Sequence, residues 1–138
     1  MNDRDPAHLD PVLKVKWQQF HDACAEKGYR VGLSQTFRSA DQQDIDYAQG
    51  RTTPGHIITN ARGGQSPHNC ILADGTPAAR AFDFYILNPD GKSCDWDATD
   101  PAWKAVIAIG QSLGLISGST WVTIKDNDHF ELPNWRNI

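Results

Sequence analysis

The run Ala81-Phe82-Asp83-Phe84-Tyr85-Ile86-Leu87 constrains the fold more than any other stretch of the chain. Apolar residues alternate there at a period of two, the pattern of a strand with one buried face. Phe82, Phe84 and Ile86 belong to the core side, which leaves Asp83 and Tyr85 on the other. Before this strand lies its opposite. Residues 50–81 are rich in Gly, Pro, Thr, Asn and Ser and read as loop, with a short extended piece at His56-Ile57-Ile58-Thr59. So long an irregular stretch is costly in a small domain, and where it persists it often holds a site.

The rest of the chain supplies helices to cover a sheet. Asp10-Pro11 is a cap followed by proline in the first turn. Leu13, Trp17, Phe20 and Cys24 then recur on one helical face, and Gly28 is the stop. Tyr29 to Leu33 alternates like a half-buried strand, and Ala40 to Ala48 is a short polar helix. Asn88-Pro89-Asp90-Gly91 is a turn. Asp100-Pro101 repeats the cap, and Trp103, Val106, Ile107 and Leu113 line a second apolar helix closed near Gly114. Leu115 to Leu132 mixes turns with short strands. Helices alternating with short strands predict an α+β domain, a small antiparallel sheet with helices packed on it. At 138 residues one domain is expected over 1–138, with the polar residues 1–9 loose.

Composition narrows the function. Thirteen basic against 17 acidic residues give a net charge of -4, with no basic cluster to bind nucleic acid. No run suits a membrane span or a signal peptide, so a cytosolic starting point without membrane insertion is expected. Cys24, Cys70 and Cys94 are odd in number and widely spaced. They read as free thiols, not as a metal set or a disulfide framework.

Of five histidines, His8 lies in the N-terminal tail and His21 beside the first helix's apolar face, and His56 reads as structural. His68 follows Gly63-Gly64-Gln65-Ser66-Pro67, a rigid polar approach, and His129 follows Asp126 by three residues. Two imidazoles and a carboxylate suit a catalytic zinc with one position open, and Asp126 would then serve as general base. On the residues alone an alternative stands beside this one. Asp83 would cap a local turn, Asp126 would belong to a surface turn, and the histidines would be incidental.

The blocks Ser34-Gln35-Thr36-Phe37-Arg38-Ser39, Tyr47 to Thr52, Ile58 to Asn69, Ala81-Phe82-Asp83-Phe84 and Asp126-x-x-His129-Phe130-Glu131 together resemble the VanY-like and L-alanyl-D-glutamate peptidases of phage endolysins, within the D-Ala-D-Ala metallopeptidase family. That family shares a hedgehog-like fold. The resemblance implies that His68, Asp83 and His129 hold zinc, that Asp126 is the acid–base residue and that Arg38 steadies the substrate carbonyl and oxyanion. It also places Ser66 in a substrate-contacting turn, and gives Gln43 and Glu131 supporting roles. Trp121 either walls the cleft or fills the core.

Here 15 positions separate His68 from Asp83 (83 − 68), more than is usual in the family. Residues 69–80 are read as an inserted hairpin or loop, since closure entropy rises slowly with loop length. Asp74 within that insertion is a rival carboxylate, and Asp83 is preferred because a strand positions a ligand better than a loop.

The implied activity is cleavage of the L-alanyl-D-glutamate bond of the peptidoglycan stem peptide. The setting would be a monomeric endolysin that waits in the host cytoplasm until a holin admits it to the wall. A D-alanyl-D-alanine carboxypeptidase or dipeptidase is one alternative. A hedgehog-like domain that binds metal or wall peptides without cutting is another.

Overall fold

The computed structural model describes residues 2–137. Helix α1 spans Pro11–Glu26, β1 Val31–Gln35, α2 Ala40–Ala48, β2 Ala81–Ile86, α3 Pro101–Ser112, β3 Ile116–Ser117 and β4 His129–Glu131. The strands form one antiparallel sheet in the order β1-β2-β4-β3. This is the α+β architecture the sequence predicts, with helices packed on a small antiparallel sheet.

Alternation along β2 and β4 divides the sheet into two environments. Phe82 pairs with Phe130 across the ladder, and one position along Asp83 pairs with His129. The phenyl rings go to the core. Phe82, Phe84 and Phe130 are fully buried with Phe20 of α1. Phe84 and Phe130 stack at 5.3 Å, and Phe20 meets both edge-on at the same distance. Burying each such ring contributes about 1.5–3 kcal/mol.

Both long helices are capped as expected. Asp10 accepts from the Val12 N–H and Asp100 from the Ala102 N–H, with proline next in each case. The buried face of α1 is Leu13, Trp17, Phe20 and Cys24. On α3, Trp103, Val106 and Gly110 are buried. A β-carbon at Gly110 would lie 2.2 Å from the Phe130 ring, so a side chain there would push the helix off the sheet.

Three expectations meet a different structure. The first strand starts two residues later than its alternation suggests, because the backbone of Tyr29 still closes α1 through Cys24 and the ladder opens at Val31 opposite Ile86. His56 to Thr59 belongs to no strand among the described residues. Ile57 and Ile58 are exposed and find no ladder partner. Residues 1–9 are not loose where they are described. Pro6–His8 forms a 3-10 turn capped by Asp5, and Leu9 is buried and bridges Ala79. One apolar residue at the end of a polar run suffices to dock it; Met1 lies outside the described residues. The insertion is a small hairpin, with Ile71 bridged to Pro77 and Gly75 closing onto Leu72. Its base is shut by the Arg80 N–H bonding to the carbonyl of Pro67, so the extra length leaves His68 and β2 adjacent.

Candidate active site

His68 sits in a 3-10 turn, Pro67–Asn69, that the chain builds from its own polar groups. Ser66 Oγ accepts from the His68 N–H, while Asn69 Oδ1 accepts from the N–H groups of Ser66 and Gly64. Asn69 Nδ2 donates to the Arg38 carbonyl, and the Arg38 N–H donates to the carbonyl of His68. The turn is thereby stitched to the segment leaving β1.

His68 is 2 % exposed. Its Nδ1 lies 2.7 Å from the carbonyl oxygen of Thr36. A carbonyl only accepts, so the proton of a neutral ring sits on Nδ1 and Nε2 carries the lone pair. That Nε2 is buried without a hydrogen-bond partner among the described residues. It points at Asp83 Oδ1, 3.3 Å away. Two electron-rich atoms face each other there, an arrangement that a cation makes favourable.

His129 reaches the same oxygen from the neighbouring strand, with Nδ1 3.1 Å from Asp83 Oδ1 and Nε2 2.9 Å from Glu131 Oε1. Burial disfavours the imidazolium, but the flanking carboxylates of Asp83 and Glu131 outweigh it and push the ring up to about 10. Burial likewise works against the Asp83 carboxylate, and the charge and hydrogen bonds of the two imidazoles, where they are protonated, overcome it and hold this group well below the usual carboxylate range.

His68, Asp83 and His129 offer one ligand atom each, all within 4.8 Å of one another. Ligands about 2.0–2.2 Å from a tetrahedral zinc stand roughly 3.3–3.6 Å apart, close to the separations seen here. The donor set of two imidazoles and one carboxylate also fits a catalytic zinc. Both second nitrogens are anchored, His68 by a carbonyl and His129 by Glu131, as metal-binding histidines require. Asp74, the rival carboxylate, is exposed and caps Thr76 in the hairpin. His56 and His21 are exposed, and neither belongs to the cluster.

His68 and His129 of this cluster line a cleft of about 670 Å³. Ile58 to Ala61 line one side and Trp121 to Ile124 another. Trp121 walls the cleft, its ring 4.7 Å from that of His129. Asp126 also lines it, its backbone held by the Gly118 carbonyl. A β-carbon at Gly118 would fall 2.3 Å from the Asp126 carbonyl oxygen, so glycine is required for this approach. Arg38 enters with Nη1 donating to Gln43 Oε1, Nη2 to Gln35 Oε1, and Nε 3.6 Å from Asp46. Gln43 is fully buried and donates in turn to Thr59 and to the Ala61 carbonyl, tying α2 to the cleft wall.

Sequence reasoning gave no role to Thr36, Gln35, Asn69 or Asp128. Thr36 acts through a main-chain carbonyl, which leaves no trace in residue type. Asn69 stands three residues after Ser66, the spacing of a capping box. Asp128 belongs to a carboxyl group of three, with Asp83 and Asp126, whose oxygens lie within 4.8 Å of one another. Burial and then the Asp126 and Asp83 carboxyls push Asp128 up to about 9.

No family model matches the chain. Among curated proteins it is 37% identical over 137 residues to the peptidoglycan L-alanyl-D-glutamate endopeptidase CwlK of Bacillus subtilis (strain 168), covering 94% of this chain and 77% of that protein. Among solved structures it matches the L-Ala D-Glu endopeptidase ChiX of Serratia marcescens with a TM-score of 0.60. That match covers 96% of this chain and 89% of ChiX at 18% identity, which shows a shared fold. Identity at the level of CwlK, sustained over nearly the whole chain, places it in a family: it belongs with the L-alanyl-D-glutamate peptidases of hedgehog-like, DD-peptidase fold.

Proposed function

We propose that this chain is a zinc-dependent endopeptidase that hydrolyses the L-alanyl-D-glutamate bond of peptidoglycan stem peptides. The observation that carries the proposal is the buried Nε2 of His68, aimed at the carboxylate that His129 also meets, beside a cleft that both histidines line. The substrate comes from the names of CwlK and ChiX.

His68, Asp83 and His129 would hold the zinc, which supplies Lewis acidity, polarising the scissile carbonyl and bringing water's loss of a proton near neutral pH. The carboxylate of Asp126 takes that proton and returns one to the leaving amine. Arg38, braced by Gln35 and Gln43 at the edge of the cleft, would offer its remaining N–H groups to the developing oxyanion, where preorganised donors have the most effect. Glu131 keeps the proton on His129 Nε2, which leaves Nδ1 for the metal. Ser66 shapes the turn under the substrate, and Trp121 closes one wall.

The endolysin setting belongs to the same proposal. It comprises a monomer, cytoplasmic waiting, release by a holin and action at the wall, and it rests on the sequence resemblance alone.

Digestion of purified peptidoglycan by the zinc-loaded protein, with mass spectrometry of the released ends, tests the reading. New L-alanine carboxyl and D-glutamate amino ends are expected. Asp126→Ala should lower their rate about 10²–10⁴-fold while still binding zinc. Free D-alanine in their place would transfer the chain to the carboxypeptidases, and no cleavage by the metal-loaded protein would leave a binding domain.

A further inference from the structure

Thr36 lies where β1 leaves the sheet, just past an irregularity in its pairing with β2. Since β1 is an edge strand, its outward N–H groups have no ladder partner. Thr36 is nevertheless 0 % exposed, so its N–H must find an acceptor within the protein. It finds the main-chain carbonyl of Asp3, 2.7 Å away. The Thr36 hydroxyl also donates to Asp3 Oδ1, at 3.2 Å. Asp3 is itself gripped, its second carboxylate oxygen 2.6 Å from His8 Nδ1 and Oδ1 accepting from the Asp5 N–H. Beyond His8 the segment is pinned to the body of the fold. The Ala79 N–H donates to the His8 carbonyl, and the Asp10 N–H to that of Ala79.

The same Thr36 residue presents its carbonyl to His68 Nδ1 at 2.7 Å. One residue is therefore held from one side by the N-terminal segment and holds a metal-binding imidazole on the other. We infer that residues 3–8 form a strap that positions His68 for zinc, with Asp3 as its positioning residue, acting through the carbonyl of Thr36. The strap fixes the Thr36 carbonyl, and that carbonyl fixes both the ring plane and the tautomer that leaves Nε2 bare. Thr36 also begins the segment that carries Arg38, so the strap steadies the point where both enter the cleft.

The inference rests on the zinc reading above, and its test separates the two. Zinc dissociation constants are measured by competition with a chromophoric chelator for the wild-type chain, Asp3→Ala, Asp3→Asn and a chain lacking residues 2–8. Urea midpoints of the metal-free proteins are measured alongside. Asp3→Ala and the shortened chain should bind zinc roughly 10–100-fold more weakly, the range for lost support behind a metal-binding histidine. Asp3→Asn should recover most of the affinity, since an amide oxygen still accepts from Thr36 and Asp5. In ¹⁵N spectra of the metal-free chain, His68 should keep the Nδ1–H form in wild type and average between tautomers in Asp3→Ala. Wild-type zinc affinity and an unchanged His68 tautomer in a folded Asp3→Ala protein would overturn the strap. A loss of midpoint without a loss of affinity would overturn it too, showing a packing role alone. Failure of the wild type to bind zinc would instead overturn the metal reading.

Discussion

Asp83 and His129 reach the metal cluster by one route and His68 by another. The first two are cross-strand partners on β2 and β4, next to the Phe82–Phe130 pair that enters the core. Moving either by one residue would send phenyl rings into the cleft and carboxylate into the core, so the register protects the site. His68 has no ladder. It hangs from Ser66, Asn69, the Arg38 backbone and the Thr36 carbonyl, each a separate hydrogen bond. A ligand placed by a sheet shares the stability of the core, whereas a ligand placed by a polar turn depends on bonds that can be removed singly. The turn is therefore where the site can be loosened without unfolding the protein.

The largest expected effect comes from the ladder. Asp83→Asn keeps the shape of the side chain but removes the charge that both imidazoles face. Zinc binding and hydrolysis should both fall below detection while the circular dichroism of the fold persists. Retained zinc at stoichiometric level would show that His68 and His129 suffice and would dissolve the distinction. From the same ladder's other face, Phe130→Ala should cost about 3–5 kcal/mol of stability. It should leave the zinc affinity of the molecules that remain folded near that of wild type. The turn predicts the reverse. Asn69→Ala removes four side-chain hydrogen bonds around His68 and should weaken zinc binding, within roughly a 10–100-fold range, at a stability cost of about 1–2 kcal/mol. If it instead unfolds the chain as Phe130→Ala does, the turn is part of the core and the contrast fails.

The same contrast explains what the sequence discloses. The face of α1 and the strand at residues 81–86 are repeating patterns of apolar residues, and the two Asp-Pro caps are local dipeptide signals, so all are legible from neighbouring residues alone. Asp83 is legible because it interrupts such a pattern. The meeting of His68, Asp83 and His129 is not, because it depends on which strands pair and on a turn closing across the hairpin at residues 69–80. There the resemblance to a family supplied what periodicity lacked. The docking of residues 2–9 is not legible for the same reason: it depends on main-chain groups and polar side chains that meet only in the fold, Asp3 with Thr36 and His8 with Ala79. Leu9 alone hinted that the tail had somewhere to go.

The last expected effect concerns charge. In the folded chain His129 is raised to about 10 and Asp128 to about 9, so both retain protons that the unfolded chain gives up near 6.5 and 3.8. The folded state then binds more protons than the unfolded one between pH 7 and pH 9, and stability must fall as pH rises through that window. Asp83, held low, is ionised in both states there and adds no slope. The urea midpoint of the metal-free protein should accordingly be lower at pH 9 than at pH 7. Asp128→Asn, which cannot ionise, should flatten part of that fall. Zinc acts in the opposite sense, because binding requires the Nδ1 proton of His129 to leave, so its affinity should climb over the same interval. A midpoint independent of pH in wild type would mean that Asp128 and His129 are not confined against their neighbours as the ladder places them. The register would then explain where these groups sit but not how they ionise.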